Sequence, residues 1–312
     1  MRIPPVFAVL ALLSPIAFGA VQNGSWSLGP SDQPGSVEFS LQSSEGNDHY
    51  STSSTWKLAD LRGLDWAAAA KHDVSFAIAR DAGTVDCKGF VQDQRGAGLF
   101  TFQPNPQYRP EMAKLGFEFD DRELFSATLF DVSFDFARTM KSAAVRGLDA
   151  GKLLAFRIHG VTPQFVRDLR GAGLEAADAG KLIAFRIHGV TPEFVNELHG
   201  AGLKVTDEDK LVAFRIHGVS PEFIRDLRSA GIDTADPDKL IAFRIHGVSA
   251  EFAGEISHLG FPHAPPEQLI ALRIHGVTPE YIEGLRSKGM QNLTLDQLIS
   301  LQIGRASCRE RG

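Results

Sequence analysis

Five arginines and five histidines recur in this chain at a fixed interval. Arg157, Arg186, Arg215, Arg244 and Arg273 are spaced by 29 residues, and His159, His188, His217, His246 and His275 keep the same period two places later. A guanidinium can grip a carboxylate through two parallel hydrogen bonds. An imidazole can ligate a metal, move a proton or titrate near neutral pH. Each pair stands in an apolar stretch such as "LIAFRIHGV" at residues 182–190. Catalysis needs different groups converging on one point, and no HExxH, GxSxG, CxxC or P-loop pattern occurs in the chain. A row of single histidines also makes a poor metal site. Equivalent residues of adjacent helical repeats lie about 8–10 Å apart, whereas each ligand nitrogen must come within about 2 Å of a zinc ion. No catalytic, metal or cofactor residue is assigned, and both rows read as structural ladders.

A constant period between about 20 and 50 residues marks a solenoid, and each unit here reads as two short helices. The first, inner helix starts after Asp149, Asp178, Asp207 or Asp236, with Pro237 and Pro266 at the first helical position in two copies. It stops at Gly160, Gly189, Gly218, Gly247 or Gly276. The second, outer helix is capped by Thr162, Thr191, Ser220, Ser249 or Thr278, and Val190 with Val195 forms a hydrophobic staple across such a cap. Gly173, Gly202, Gly231, Gly260 and Gly289 end it.

At about 100° per residue, the apolar residues of the inner helix cover most of its circumference. Arg186 projects between Leu182 and Ile183, and His188 between Ala184 and Phe185. The inner helix is therefore expected to be mostly buried, with its arginine paired. Asp168, Glu197, Asp226 and Glu255 recur on the outer helix and suggest an Arg–carboxylate ladder, although Gly284 breaks that row in the last copy. Histidine in the last helical turn suits the helix dipole, and five similar histidines also allow collective pH sensing. Arg167, Asn196 and Arg225 share one exposed position that varies between copies, which makes them a candidate interaction surface.

Around this array the chain divides further. Residues 1–20, "MRIPPVFAVLALLSPIAFGA", read as a signal peptide and imply a periplasmic or secreted protein. Residues 21–118 are rich in Ser, Gly, Thr and aromatics. The runs "SVEFSLQ", "STSSTWKL", "DVSFAIAR", "GTVDCKGFV" and "AGLFTFQP" predict strands, the last three as an antiparallel meander. "LADLRGL" and "RPEMAKLG" predict short helices, and Cys87 a small buried strand residue. Residues 119–148 match the repeat in kind but hold Thr128 and Phe130 at the Arg and His positions, as a degenerate capping repeat would. Repeats fill residues 149–302, and their register holds through Ile303 and fails at Gly304. Residues 303–312, ending "IGRASCRERG", resemble a translated sequencing adapter and are set aside as non-native. Of 32 basic and 38 acidic residues, Arg2, Arg305, Arg309, Arg311 and Glu310 lie in the two end segments, which shifts the formal charge from −6 to near −9. Such acidity lacks the electrostatic footprint of a nucleic-acid binder.

The fold expected is α+β: a small N-terminal antiparallel β domain followed by an α-solenoid of 29-residue helical hairpins. At "LIALRIHGVTPEYI" (residues 269–282) and its sister copies, the chain resembles exported bacterial proteins with tandem "RIHGVTPE" helical repeats. Similar repeats are appended to some antirepressor-type membrane metallopeptidases related to β-lactam sensors. The resemblance spans Asp149 to Gln302 and extends more weakly over "STSSTWKLADLRGL" and "RDAGTVDCKGFVQDQRGAGLFTF". It implies architecture and an exported setting but no activity, because the family is functionally uncharacterised. The peptidase motif and membrane bundle are absent here, so peptidase chemistry is not carried over. The expectation is a non-enzymatic scaffold that needs no cofactor, does not span a membrane in mature form and binds a protein or peptide. A sensory accessory of a membrane peptidase or signalling system, and an enzyme with its site in the β domain, are the alternatives.

Overall fold

The computed structural model describes residues 23–45, 48–66, 70–174 and 178–309. The expected signal peptide lies outside the described residues. Two compact units emerge: one holds the described residues up to Ala144 with Leu148–Ile158, the other Val145–Gly147 and the residues from His159 on.

In the first unit, six strands form one antiparallel sheet. They are β1 (Asn23–Pro30), β2 (Ser36–Glu45), β3 (Asp48–Lys57), β4 (His72–Arg80), β5 (Gly83–Gln92) and β6 (Arg95–Pro104), in the order β3-β2-β1-β6-β5-β4. Alternation drives the assembly. Trp26, Leu28, Val37, Phe39, Leu41, Val74, Phe76, Ile78, Val85, Cys87, Phe100 and Phe102 are buried, while serines, threonines and charged residues alternate with them. The sheet is rolled. Phe39 of β2 and Phe76 of β4 stand 6.0 Å apart between ring centroids, although three strands separate β2 from β4. A flat sheet would hold those strands about 19 Å apart at about 4.8 Å per step. Trp26 fills the interior over a floor of glycines, donating its indole N–H to the Lys88 carbonyl at 3.2 Å. A Cβ at Gly98 would meet that carbonyl at 2.1 Å and the indole nitrogen at 2.7 Å. The expected meander of β4, β5 and β6 is present. The "NGSWSLGP" strand, β1, was not expected, yet it sits in the middle of the sheet. "LADLRGL" forms only a 3-10 turn, Leu58–Asp60, because Leu61 is drawn into the core and Arg62 pairs with Ala77 of β4.

Four helices complete this unit: α1 (Tyr108–Lys114), α2 (Asp121–Leu129), α3 (Phe134–Ser142) and α4 (Ala150–His159), whose last residue, His159, belongs to the second unit. Asp120 caps α2 in a capping box with Glu123, and Ser133 caps α3. Helices α2 and α3 thus lie within residues 119–148. Helix α2 packs on β4, β5 and β6, and its Phe125 ring meets Phe100 and Phe102 of β6 and Tyr50 of β3 at 5.3–5.5 Å.

The second unit is a run of helical hairpins. Its helices are α5 (Pro163–Gly171), α6 (Ala179–His188), α7 (Pro192–Gly200), α8 (Glu208–His217), α9 (Pro221–Ser229), α10 (Pro237–His246), α11 (Ala250–His258), α12 (Pro266–Ile274), α13 (Pro279–Ser287) and α14 (Leu295–Arg309). Like packs on like: α6, α8, α10, α12 and α14 form one row, and α5, α7, α9, α11 and α13 the other. Together the two units give the α+β arrangement of a β domain followed by an α-solenoid. Thr162, Thr191, Ser220, Ser249 and Thr278 each accept the backbone N–H three residues on, as their spacing predicts. Between the rows, Leu182 and Phe185 of α6 and their counterparts Leu211, Phe214, Leu240 and Phe243 are almost fully buried. Each such side chain contributes about 1.5–3 kcal/mol. Among the described residues no helix is long and apolar enough to cross a membrane.

Candidate interaction face on the inner helices

The repeated arginine is not buried, and it does not pair with the outer-helix carboxylates. Arg186, Arg215, Arg244 and Arg273 are exposed, and each reaches back to the preceding repeat. Their Nε–H groups donate to the carbonyls of His159, His188 and His217 at 3.3–3.4 Å, and for Arg273 to Gly247 at 2.8 Å. Their guanidinium carbons stand 4.7–4.9 Å from the ring centres of Phe165, Phe194, Phe223 and Phe252. The expected Arg–carboxylate ladder is therefore replaced by a cap. Each arginine places positive charge at the carbonyl end of the previous inner helix, where the dipole favours it, and covers the aromatic ring of the previous outer helix. Asp168, Glu197, Asp226 and Glu255 are exposed instead, and Asp168 accepts from Gln164 of its own helix at 2.6 Å. A helical projection places residues on one helix but does not reveal the neighbouring repeat, and the true partner lies there.

This contact gives the glycine of "RIHG" two duties. Gly189 ends α6 at φ 73°, in the left-handed region. A Cβ there would also come within 2.9 Å of the Arg215 Nη2 atom. The same crowding recurs at Gly160 with Arg186 and at Gly218 with Arg244. The contacts of the row also reach the flanking segments at both ends. Arg157 donates to the Phe130 carbonyl at 2.8 Å and to Asp131 at 3.1 Å. At the far end Gln302 occupies the arginine position and donates to the Gly276 carbonyl at 3.4 Å.

Two further ladders went unread in the sequence. On the outer helices, Arg228 donates to the Ala201 carbonyl and Arg286 to the Leu259 carbonyl at 2.5 Å. Near the starts of the inner helices, Lys181 pairs with Asp209, Lys210 with Asp238, and Lys239 with Glu267 at 2.5 Å. A 28-residue spacing of Lys and acid was the available signal.

The helices that carry the arginine row also carry an apolar stripe. Ile187, Ile216, Ile245 and Ile274 are 53–56 % exposed. Ile183, Val212, Ile241 and Ile270, one turn earlier on the same face, are half-buried. Single exposed aliphatic residues are ordinary, but here four recur at one position of successive inner helices. The inner helix is thus less buried than expected. His188, His217, His246 and His275 border the stripe and are exposed, whereas His159 is half-buried and burial lowers its pKa. Arg167, Asn196 and Arg225 are exposed on the outer helices, where Arg167 bonds Gln164 and Arg225 bonds Glu222 of the same helix.

In the β unit, the outer surface of β5 and β6 carries a shallow depression of about 550 Å³, lined by Asp86, Lys88, Phe90 and Leu99 among others. Cys87 lies on the opposite, buried face, and burial pushes its thiol up to about 12. No three His, Cys, Asp or Glu residues among those described stand close enough to hold a metal ion. Comparison with protein-family models, with curated proteins and with solved structures gives no match to this chain.

Proposed function

We propose that the protein is an exported, non-enzymatic repeat scaffold that binds a protein or peptide along its inner-helix face. The exposed row Ile187, Ile216, Ile245 and Ile274 carries this reading. Burying exposed apolar area is favourable at roughly 25 cal/mol per Å², and four aliphatic groups repeated on a fixed frame offer a partner the same contact several times over. Export rests on the order of basic, apolar and small residues in the first 20 positions. Arg167, Asn196 and Arg225 supply a contrasting polar surface whose two arginines are engaged within their own helices.

The test is retention of a partner from periplasmic extract by the full chain and by an Ile216→Ser, Ile245→Ser variant. A partner held by the first and lost from the second supports the reading. An identical set of retained proteins refutes it, as does retention that depends on Arg167 and Arg225 alone.

A further inference from the structure

Resting on the scaffold reading, we infer that the inner-helix stripe takes an extended, strand-like segment of a partner, apolar on one face and acidic along the edge that meets the arginine row. The molecule already contains one instance of this contact. Phe125, Thr128 and Leu129 of α2 hold the repeat positions of Ile183, Arg186 and Ile187. All three are buried in α2, with Phe125 packed on the aromatic side chains of strands β3 and β6. Thr128 turns its hydroxyl back to the Leu124 carbonyl at 2.9 Å. A guanidinium at that fully buried position would pay heavily for desolvation. The first hairpin thus gives up its arginine where strands cover this helix face. The later hairpins keep both the arginine and an aliphatic pair of which one member is half-buried and the other exposed.

Charge sets the second requirement. Lys181, Lys210 and Lys239 are each neutralised by an acid of the next repeat. No carboxylate among the described residues pairs with Arg186, Arg215, Arg244 or Arg273, whose polar partners are backbone carbonyls. The lysine row is therefore neutralised within the protein, whereas the arginine row next to the stripe carries four formal positive charges. Asp or Glu side chains suit the arginine row, and Lys or Arg would be repelled there. Length follows from geometry. Successive helices pack at about 8–10 Å and an extended chain advances about 3.3 Å per residue. Three residues then span one repeat, and about ten cover the row from Ile187 to Ile274.

A phage-displayed library of random 16-residue peptides, selected on the full chain, tests this directly. The strongest binder is then synthesised, together with a form in which Asn and Gln replace its Asp and Glu. Enriched sequences should carry apolar residues at every second or third position with acids between them. Ile216→Ser with Ile245→Ser, both at exposed positions, should weaken the synthetic peptide by about tenfold or more with an unchanged melting curve. Arg215→Gln with Arg244→Gln should remove the preference for the acidic form and the salt dependence of binding. Enriched peptides that are basic or show helical periodicity, yet still lose affinity when the isoleucines are replaced, would overturn the strand-like acidic ligand and leave the scaffold intact. Failure to enrich any peptide, or binding indifferent to the isoleucines, would sink both.

Discussion

The double duty of Gly189 can be measured with a cycle of two substitutions, Gly189→Ala and Arg215→Met. Alanine at φ 73° costs about 1–2 kcal/mol for the left-handed backbone alone. Its Cβ would also displace the Arg215 guanidinium, since it would arrive 2.9 Å from Nη2. Methionine keeps an aliphatic stem over Phe194 but removes the head group. That head group donates one long hydrogen bond, 3.3 Å, and makes an exposed cation–π contact at 4.9 Å. The dipole term is about 0.3–1 kcal/mol and the exposed cation–π term about 0.5–1 kcal/mol, so Arg215→Met should cost about 1–2 kcal/mol. Part of that loss is already incurred in Gly189→Ala, because the displaced guanidinium can no longer hold its place. The double variant should therefore be less destabilised than the two singles combined, by about 0.5–1.5 kcal/mol, within the range found for contacting residues. Urea titration followed by far-ultraviolet circular dichroism reads the four stabilities. Amide exchange in α6 and α8 shows whether the loss is local to that junction. Simple additivity within about 0.3–0.5 kcal/mol would refute the idea that this arginine presses on this glycine.

The β unit offers a chemical readout. With its pKa pushed up to about 12 by burial, Cys87 should resist maleimide at pH 8 in the folded protein and react once urea is added, as peptide mass spectrometry would show. Labelling of the folded protein at the unfolded rate would contradict the rolled core. His159 carries a pKa lowered by burial, so the folded state binds its proton less readily than the unfolded chain. Its contribution is present above the unfolded value, about 6.5, and is lost as pH falls from there through the lower folded value. His159→Gln should flatten that part of the stability profile, and an unaltered slope would count against the assignment.

The repeats were legible in the sequence almost to the residue, down to the capping Thr162, Thr191, Ser220, Ser249 and Thr278. Caps, terminal glycines and the hydrophobic staple all act within four or five residues, so the sequence displays both partners of each contact side by side. In the β unit the same holds for β4, β5 and β6, which are joined by tight turns. Strand β1 escaped notice because "NGSWSLGP" has only two buried apolar residues set among turn-forming ones. Its pairing with β6 joins segments roughly 70 residues apart, a relation no local pattern encodes.

The face of the inner helix shows the boundary between the two kinds of information. Spacing alone fixed that Arg186, Ile187 and His188 sit in the last turn of a helix repeated every 29 residues. It did not fix what surrounds them, because an apolar residue reads the same whether a neighbour covers it or not. Packing decided that. Successive inner helices from α6 to α14 pack on one another, and Leu182 and Phe185 of α6 are almost fully buried. The sector holding Ile183 and Ile187 is only partly covered, and Arg186 turns along the stack to the carbonyl of His159. Its partner is 27 residues earlier in the chain, close in space only because one hairpin has been laid on the last.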